Sequence, residues 1–144
     1  HANDTRETIT RLTNPPIEIP KTMLPAISMI VVQYRNRRTG VRKTFQIAEI
    51  LPDSEPNVLI QLDIRKGMLK KIANSRALIS TIELFTGFTR NELNKSLKEK
   101  EAILKWLVKH NVNTVDGVGR VMAEYYTNKD NLMKYVRVNK PFVD

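Results

Sequence analysis

The sequence contains no cysteine, which excludes disulfide bonds, thiolate metal sites and a cysteine nucleophile. Histidine occurs only at His1 and His110, so a histidine-cluster metal site is not expected. The longest uninterrupted apolar run, residues 29–32, is far shorter than the ~20 residues that span a bilayer. No signal peptide is visible in the polar first residues. These absences exclude a membrane-spanning protein and several classes of metalloprotein.

The motifs of the common enzyme classes are also missing. No Gly-x-x-x-x-Gly-Lys-Ser/Thr phosphate loop is present, and Gly117-Val118-Gly119 lacks a third glycine and lies in a helical pattern. A Ser-His-acid triad would need His110, which lies at a predicted helix end, where it complements the last carbonyl groups. Asp53 and Glu55 lie in a proline-flanked loop and do not form an acid/base pair. The residues by themselves therefore encode no complete active site.

Positive charge is what the chain has in excess. Lysine and arginine total 24 against 15 aspartate and glutamate, a net charge of +9. Such a balance favours a polyanionic partner, although an evenly scattered, solvated surface gives the same total. Five cations fall within nine positions around a glycine turn, and these are the candidate interaction residues: Arg35, Arg37, Arg38, Arg42 and Lys43.

The first half of the chain predicts helix followed by sheet. Asp4 and Glu7 have capping-box spacing and begin a helix that ends at Asn14, before two prolines. Pro20 begins a short second helix to about residue 27. Continuous apolar character over 28–35 predicts a strand that is covered on both faces, and the next strand, 41–51, completes a hairpin with a basic tip. Alternation over 58–64 and a short segment from 68 to 73 predict two more strands, with a turn at Arg65-Lys66-Gly67 between them.

The hydrophobic period becomes helical after Asn74. We expect helices over 75–87, 89–110 and from 114, with a short one over 129–136. Ser75 and Thr114 are the predicted caps of the first and third of these helices, and we expect Thr89 with Glu92 to form a capping box. The predicted inward-facing residues of these helices are Leu78, Ile79, Ile82, Phe85, Leu93, Leu97, Leu104, Leu107, Val108, Val118, Met122 and Tyr125. The prediction is an α/β (α+β) chain in which a small, mostly antiparallel sheet precedes a helical cluster, with a seam between residues 1–74 and 75–144.

Several strings resemble one family of motor proteins. They are His1-Ala2-Asn3, Ile9-Thr10-Arg11-Leu12, Asn14-Pro15-Pro16, Ile19-Pro20-Lys21, Met29-Ile30-Val31-Val32-Gln33, Ile47-Ala48-Glu49-Ile50, Leu104-Lys105-Trp106-Leu107-Val108 and Val121-Met122-Ala123-Glu124-Tyr125-Tyr126. In this order they resemble the part of the type II/type IV secretion and pilus-assembly ATPases that follows the Walker B strand. The archaeal branch, which includes the archaellum motor ATPase, is the most similar.

The resemblance implies that the chain is the C-terminal part of such an ATPase, the tail of a RecA-like P-loop domain. His1 would match the histidine-box residue that approaches the γ-phosphate, and ATP and Mg belong to the whole protein and not to this chain alone. The whole motor would be a cytoplasmic homo-hexamer at the inner face of the membrane, working with a membrane platform protein in secretion or in pilus or archaellum assembly. The chain by itself, which lacks Walker A and Walker B, should be inactive as an enzyme.

A second interpretation treats the chain as an independent basic module that binds nucleic acid or an acidic protein. The helices after residue 75 have a short turn at Gly87, as in a helix-turn-helix unit. However, the helix after that turn carries Glu92, Glu99 and Glu101 and is longer than a usual recognition helix. Nucleic acid is therefore the less expected partner.

Overall fold

The computed structural model describes residues 2–141, which form two compact units. The first unit ends at Gly87, and the second begins at Phe88. In the first unit one helix and a short 3₁₀ helix precede a sheet, and a second helix follows it. These elements are α1 (Thr5–Thr13), the 3₁₀ helix (Lys21–Ala26), β1 (Met29–Arg35), β2 (Arg42–Ile50), β3 (Pro56–Asp63), β4 (Met68–Lys71) and α2 (Leu78–Thr86).

The sheet is antiparallel, as predicted, and it is a meander in the order β1-β2-β3-β4. Its core on the side of α1 is formed by Leu24, Ile30, Val32 and Ile50. Thr5, which is buried in α1, donates both its backbone N–H and its hydroxyl to Gln46 Oε1, at 2.9 and 3.0 Å. This pair satisfies buried polar groups on both elements and fixes α1 against β2.

The two faces of β1 differ, and the prediction that both are covered is wrong for the described residues. Ile30 and Val32 are buried, whereas Met29 and Val31 are 46% and 44% exposed. The reason is that α1 and the 3₁₀ helix pack against only one face of β1. An apolar run predicts burial but does not say which element provides it.

The second unit is helical. It consists of α3 (Arg90–Lys109), α4 (Val115–Thr127) and α5 (Lys129–Val138), and α5 packs against the other two. The predicted caps are confirmed: Thr89 and Glu92 form a reciprocal capping box, and Thr114 accepts the N–H of Gly117 at 3.1 Å. The core contains Ile103, Trp106, Leu107, Val121, Tyr125, Leu132 and Met133.

The predicted inward face of α3 is partly wrong. Leu93 and Leu107 are buried, but Leu97, Leu104 and Val108 are 52%, 57% and 78% exposed. The helix carries apolar residues on more than one side, and packing of α4 and α5 selects the side of Ile103 and Trp106. In α4 the buried residues are Val121 and Tyr125, whereas Val118 and Met122 are only partly buried.

Helix α2 also departs from its predicted face, because Phe85 is 82% exposed and no residue of α2 is fully buried. The helix ends as predicted, with Gly87 in the left-handed conformation at φ +70°. The change of period at Asn74 marks the end of the sheet, whereas the boundary between the compact units follows Gly87. Helix α2 therefore belongs to the unit that contains the sheet.

Replacing Thr89 with Ala should destabilise the second unit by about 1 kcal/mol, because the cap of α3 loses its hydroxyl. The hydroxyl accepts the N–H of Glu92 at 3.3 Å, and the N–H of Thr89 donates to the Glu92 carboxylate at 2.8 Å. Urea unfolding followed by the fluorescence of Trp106, the one tryptophan in the chain, measures this unit. Asn94→Ala, in the exposed interior of the same helix, is the control and should cost nothing. An equal loss in both variants would contradict the role of the cap.

Candidate interaction surface

The basic hairpin is held in one conformation by its own turn. Asn36 Oδ1 accepts the N–H groups of Arg38 and Thr39 at 2.9 and 3.1 Å, and the N–H of Gly40 donates to the Asn36 carbonyl at 2.8 Å. Gly40 has φ +72°, a conformation in which a Cβ would be strained. The turn between β1 and β2 therefore presents its side chains from a fixed backbone.

All five predicted interaction residues project from this hairpin. These exposed residues are Arg35, Arg37, Arg38, Arg42 and Lys43. No carboxylate in the described part of the chain forms an ion pair with any of them. The Lys43 side chain has a hydrogen bond within the fold, because its Nζ donates to the carbonyl of Gly67 at 2.8 Å. The hairpin thus carries a concentrated positive charge that nothing in the described structure neutralises.

A second basic turn lies at the same end of the sheet. In a four-strand meander the first and third connections share one end, so residues 36–41 and residues 64–67 lie side by side, and the Lys43–Gly67 hydrogen bond joins them. This turn adds two exposed cations, Arg65 and Lys66. We name the combined surface, residues 35–43 with residues 64–67, the two-turn surface.

Asp63, at the end of β3, is the acidic residue beside the two-turn surface, and it is already paired. Lys70 contacts its carboxylate at 2.8 Å, and the N–H of Lys66 donates to it at 3.0 Å. The hydrogen bond from Lys70 lowers the pKa of the Asp63 carboxyl, so this group is ionised at neutral pH. Lys70, which lies outside the turns, neutralises the charge of Asp63. Asp63 therefore does not neutralise the seven cations of the two-turn surface.

Each turn carries an exposed apolar side chain beside the end of a strand. Val41, before β2, is 46% exposed, and Ile64, after β3, is 56% exposed. Ile64 lines an open groove together with Arg35 and Arg37, so the apolar residue of one turn borders cations of the other. Tyr34 and Phe45 line the same groove, with their ring centroids 6.2 Å apart.

A separate polar site organises the opposite end of β2. The Glu49 side chain is fully buried, and both of its oxygens accept hydrogen bonds from the chain around the start of α2. The donors and distances are Asn57 Nδ2 at 2.8 Å, Ser75 Oγ at 2.7 Å, and the N–H groups of Arg76, Ala77 and Leu78 at 2.7, 3.2 and 2.8 Å. Burial raises the pKa of the Glu49 carboxyl, but these hydrogen bonds outweigh burial and lower it to about 2.

Glu49 therefore acts as the cap of α2. The first N–H groups of a helix have no partner within the helix, and a carboxylate there also interacts favourably with the helix dipole. Ser75, which is the predicted cap, contributes its Oγ as the acceptor for the N–H of Ile79 at 3.1 Å, while the helix itself begins at Leu78. This arrangement explains why α2 stays with the sheet, and it assigns Glu49 a structural and not a catalytic role.

The remaining predicted residues give no catalytic centre. His1 lies outside the described residues. His110 lies at the C-cap of α3 as predicted, and its backbone N–H donates to the carbonyls of Trp106 and Val108. The predicted interaction of its side chain with the last carbonyls is not seen at Nε2, which is buried without a hydrogen-bond partner in the described part of the chain, and the ring centroid lies 5.1 Å from that of Trp106. Gly117 and Gly119 lie within α4 and not in a phosphate-binding loop. Residues 2–141 contain no cluster of three or more His, Asp or Glu side chains that could hold a metal ion.

Arg65 and Lys66 are the functional candidates that sequence reasoning missed. Residues 65–67 were predicted as a turn, but their position beside the first turn depends on the order of the strands. The signal was available in principle, because the first and third turns of an antiparallel meander lie at the same end of the sheet.

No helix within residues 2–141 combines the length and the apolar character that crossing a bilayer requires. One relative is the Methanocaldococcus jannaschii protein that bears the name Uncharacterized protein MJ0781. The two are 28% identical over 145 aligned residues, which cover 95% of this chain and 20% of the relative. The chain thus spans about a fifth of the length of the relative that it matches.

The second comparison is with a family model. The model described as PilB3-like, C-terminal matches residues 70–144. The matched segment begins in β4 and includes α2 and the whole helical unit. Since it covers more than half of the chain, this protein belongs to the PilB3-like C-terminal family, which relates it to the C-terminal region of pilus and secretion ATPases.

Proposed function

We propose that this chain is the C-terminal segment of a hexameric secretion or pilus motor ATPase, in which ATP hydrolysis drives secretion or filament assembly. The observation that carries the proposal is the family match over residues 70–144. The greater length of the Methanocaldococcus jannaschii relative is consistent with further domains in the whole protein. The family resemblance of the segments in the first unit supports the same assignment.

In this proposal the nucleotide site lies mainly outside the residues described. The described residues contain no glycine-rich phosphate loop and no cluster of three or more His, Asp or Glu side chains. We therefore assign no step of hydrolysis to them. His1, by family resemblance the histidine-box residue, is the one proposed contribution toward the γ-phosphate.

The proposed partners follow from the same assignment. In the whole protein the chain would be part of a homo-hexamer at the cytoplasmic face of the membrane, beside a membrane platform protein. The exposed two-turn surface is suited to an anionic partner because its seven cations have no carboxylate partner among the described residues. The same excess of cations supports a second candidate function, an independent basic module for nucleic acid or an acidic protein.

The purified 144-residue chain should release no phosphate from ATP above the buffer rate, whereas the full-length protein should hydrolyse ATP. The reason is that the described residues hold no phosphate loop to bind the nucleotide. A colorimetric phosphate assay measures both rates, and full-length protein with its Walker A lysine replaced is the control for contaminating ATPases. Turnover by the short chain that survives further purification would contradict the proposal, and an inactive full-length protein would favour the binding module.

A further inference from the structure

The two-turn surface joins seven cations from two separate stretches of sequence at one end of the sheet. The cations are Arg35, Arg37, Arg38, Arg42, Lys43, Arg65 and Lys66, and all of them are exposed. The adjacent carboxylate, Asp63, is paired with Lys70 at 2.8 Å. Because like charges this close repel one another, the arrangement favours a partner that supplies many negative charges at once.

Exposed apolar side chains in the two turns distinguish between the classes of polyanion. Val41 is 46% exposed and directly precedes Arg42, and Ile64 is 56% exposed and lines a groove with Arg35 and Arg37. A partner therefore meets aliphatic and positive groups together. Phosphate headgroups above an apolar layer match that combination, since cations bind the headgroups and aliphatic side chains enter the interface.

A nucleic acid matches the surface less well. Single strands are bound by aromatic side chains on which bases stack, and neither turn contains an aromatic residue. The nearest aromatic residues, Tyr34 and Phe45, are partly buried, and Phe45 packs against the core beneath α1. A protein partner would need an acidic surface that also accommodates the aliphatic side chains of Val41 and Ile64.

We propose that the two-turn surface binds the anionic phospholipid surface of a membrane. The arginine and lysine side chains contact headgroup phosphates, and Val41 and Ile64 enter the interfacial layer. Binding is reversible, because two aliphatic side chains bury little apolar area and most of the attraction is screened by salt. This inference deepens the peripheral membrane location in the proposed function, and it rests on that proposal only for its biological setting.

The test is co-flotation of the 144-residue chain with vesicles at low salt. One vesicle contains equal parts of phosphatidylcholine and phosphatidylglycerol, and the other contains phosphatidylcholine alone. The chain should float with the first and not with the second, and added salt should release it. Replacing Arg37, Arg38 and Arg42 with Gln should weaken partitioning by roughly 100-fold, since each cation near the surface contributes about fivefold.

Two further variants make the test specific. Lys95, Lys98 and Lys109 are exposed lysines of α3, and replacing these three with Gln gives the same net charge as the arginine variant but should retain binding within about threefold. Replacing Val41 and Ile64 with Ser should weaken partitioning by about tenfold without changing its salt dependence. Circular dichroism during heating should show that the arginine variant unfolds like the wild type.

Each result of these experiments either supports the membrane-binding proposal or contradicts it. Equal loss of binding in both triple variants would overturn the proposal, because it would mean that net charge and not this surface attracts the vesicle. Failure to float with phosphatidylglycerol vesicles would also overturn it. If the chain instead binds duplex DNA with a steep salt dependence that the arginine variant reduces, the surface is a nucleic-acid site. None of these results tests ATP hydrolysis by the full-length protein, so the motor assignment is tested independently by the phosphate-release assay.

Discussion

Replacing Glu49 with Gln should destabilise the first unit by roughly 3 kcal/mol, a large effect for a substitution that barely changes side-chain size. Both oxygens of the carboxylate are in use: Oε1 accepts hydrogen bonds from Asn57 and Arg76, and Oε2 accepts them from Ser75, Ala77 and Leu78. An amide has one oxygen and an NH₂ group. Either orientation of Gln therefore sets N–H donors against N–H donors in a buried site.

The lowered pKa of Glu49 gives the same magnitude for the loss of stability, and it also predicts that this loss depends on pH. A shift from the ordinary value of 4.5 to about 2 corresponds to roughly 3 kcal/mol. Because the folded-state pKa is the lower one, the unfolded chain binds the proton first as pH falls. The stabilisation is therefore complete above about pH 4.5 and is lost as pH falls toward 2. The difference in the free energy of unfolding between wild type and Glu49→Gln should therefore decrease as the pH falls from about 4.5 toward 2.

Hydrogen exchange of the amides in β2 and α2 measures this effect within the first unit. At neutral pH the amides that exchange through unfolding of this unit should exchange about 100-fold faster in the variant, the factor that corresponds to 3 kcal/mol. Glu55→Gln removes the same charge from an exposed loop residue of the same unit and should change stability by at most about 0.5 kcal/mol. Equal exchange in wild type and Glu49→Gln would show that the buried hydrogen bonds contribute little net stability.

The part of the fold that could be predicted from the sequence is the part that local chemistry determines. Thr89 with Glu92, Thr114 and Gly87 act within one helical turn of their own positions, and each was identified correctly. The antiparallel sheet and the helices after it were also correctly predicted, because alternation and the helical period are properties of neighbouring residues. The relation to pilus and secretion ATPases was recognised from short segments in order, and the family match supports it at that level.

The part that could not be predicted depends on residues far apart in the chain. Glu49 caps a helix that begins at Leu78, and no pattern around Glu49 indicates that partner. The positive charge of residues 35–43 was identified, but its continuation at Arg65 and Lys66 needs the strand order. Helix α3 carries apolar residues on several sides, and only the positions of α4 and α5 determine which side is buried.

Replacing Ile103 with Ala should destabilise the second unit by about 2–5 kcal/mol, because Ile103 is fully buried at the centre of its core. The substitution removes apolar contacts with neighbours on α4 and α5 and leaves a cavity among them. Urea unfolding followed by Trp106 fluorescence reports this loss, since Trp106 lies in the same core. The hydrogen exchange of β2 in the first unit should be unchanged if the two units unfold independently.

Leu104→Ala is the matched control, since it makes a similar deletion at the next position of the same helix. Leu104 is 57% exposed, so its truncation removes little buried area and should cost less than about 1 kcal/mol. The comparison tests which side of α3 faces the core, because the sequence pattern favoured Leu104 and the structure favours Ile103. A loss at Leu104 as large as the loss at Ile103 would mean that the exposed side of α3 is also buried in solution. If a second copy of the chain then covers Leu97, Leu104 and Val108, the stability of the second unit should rise with protein concentration.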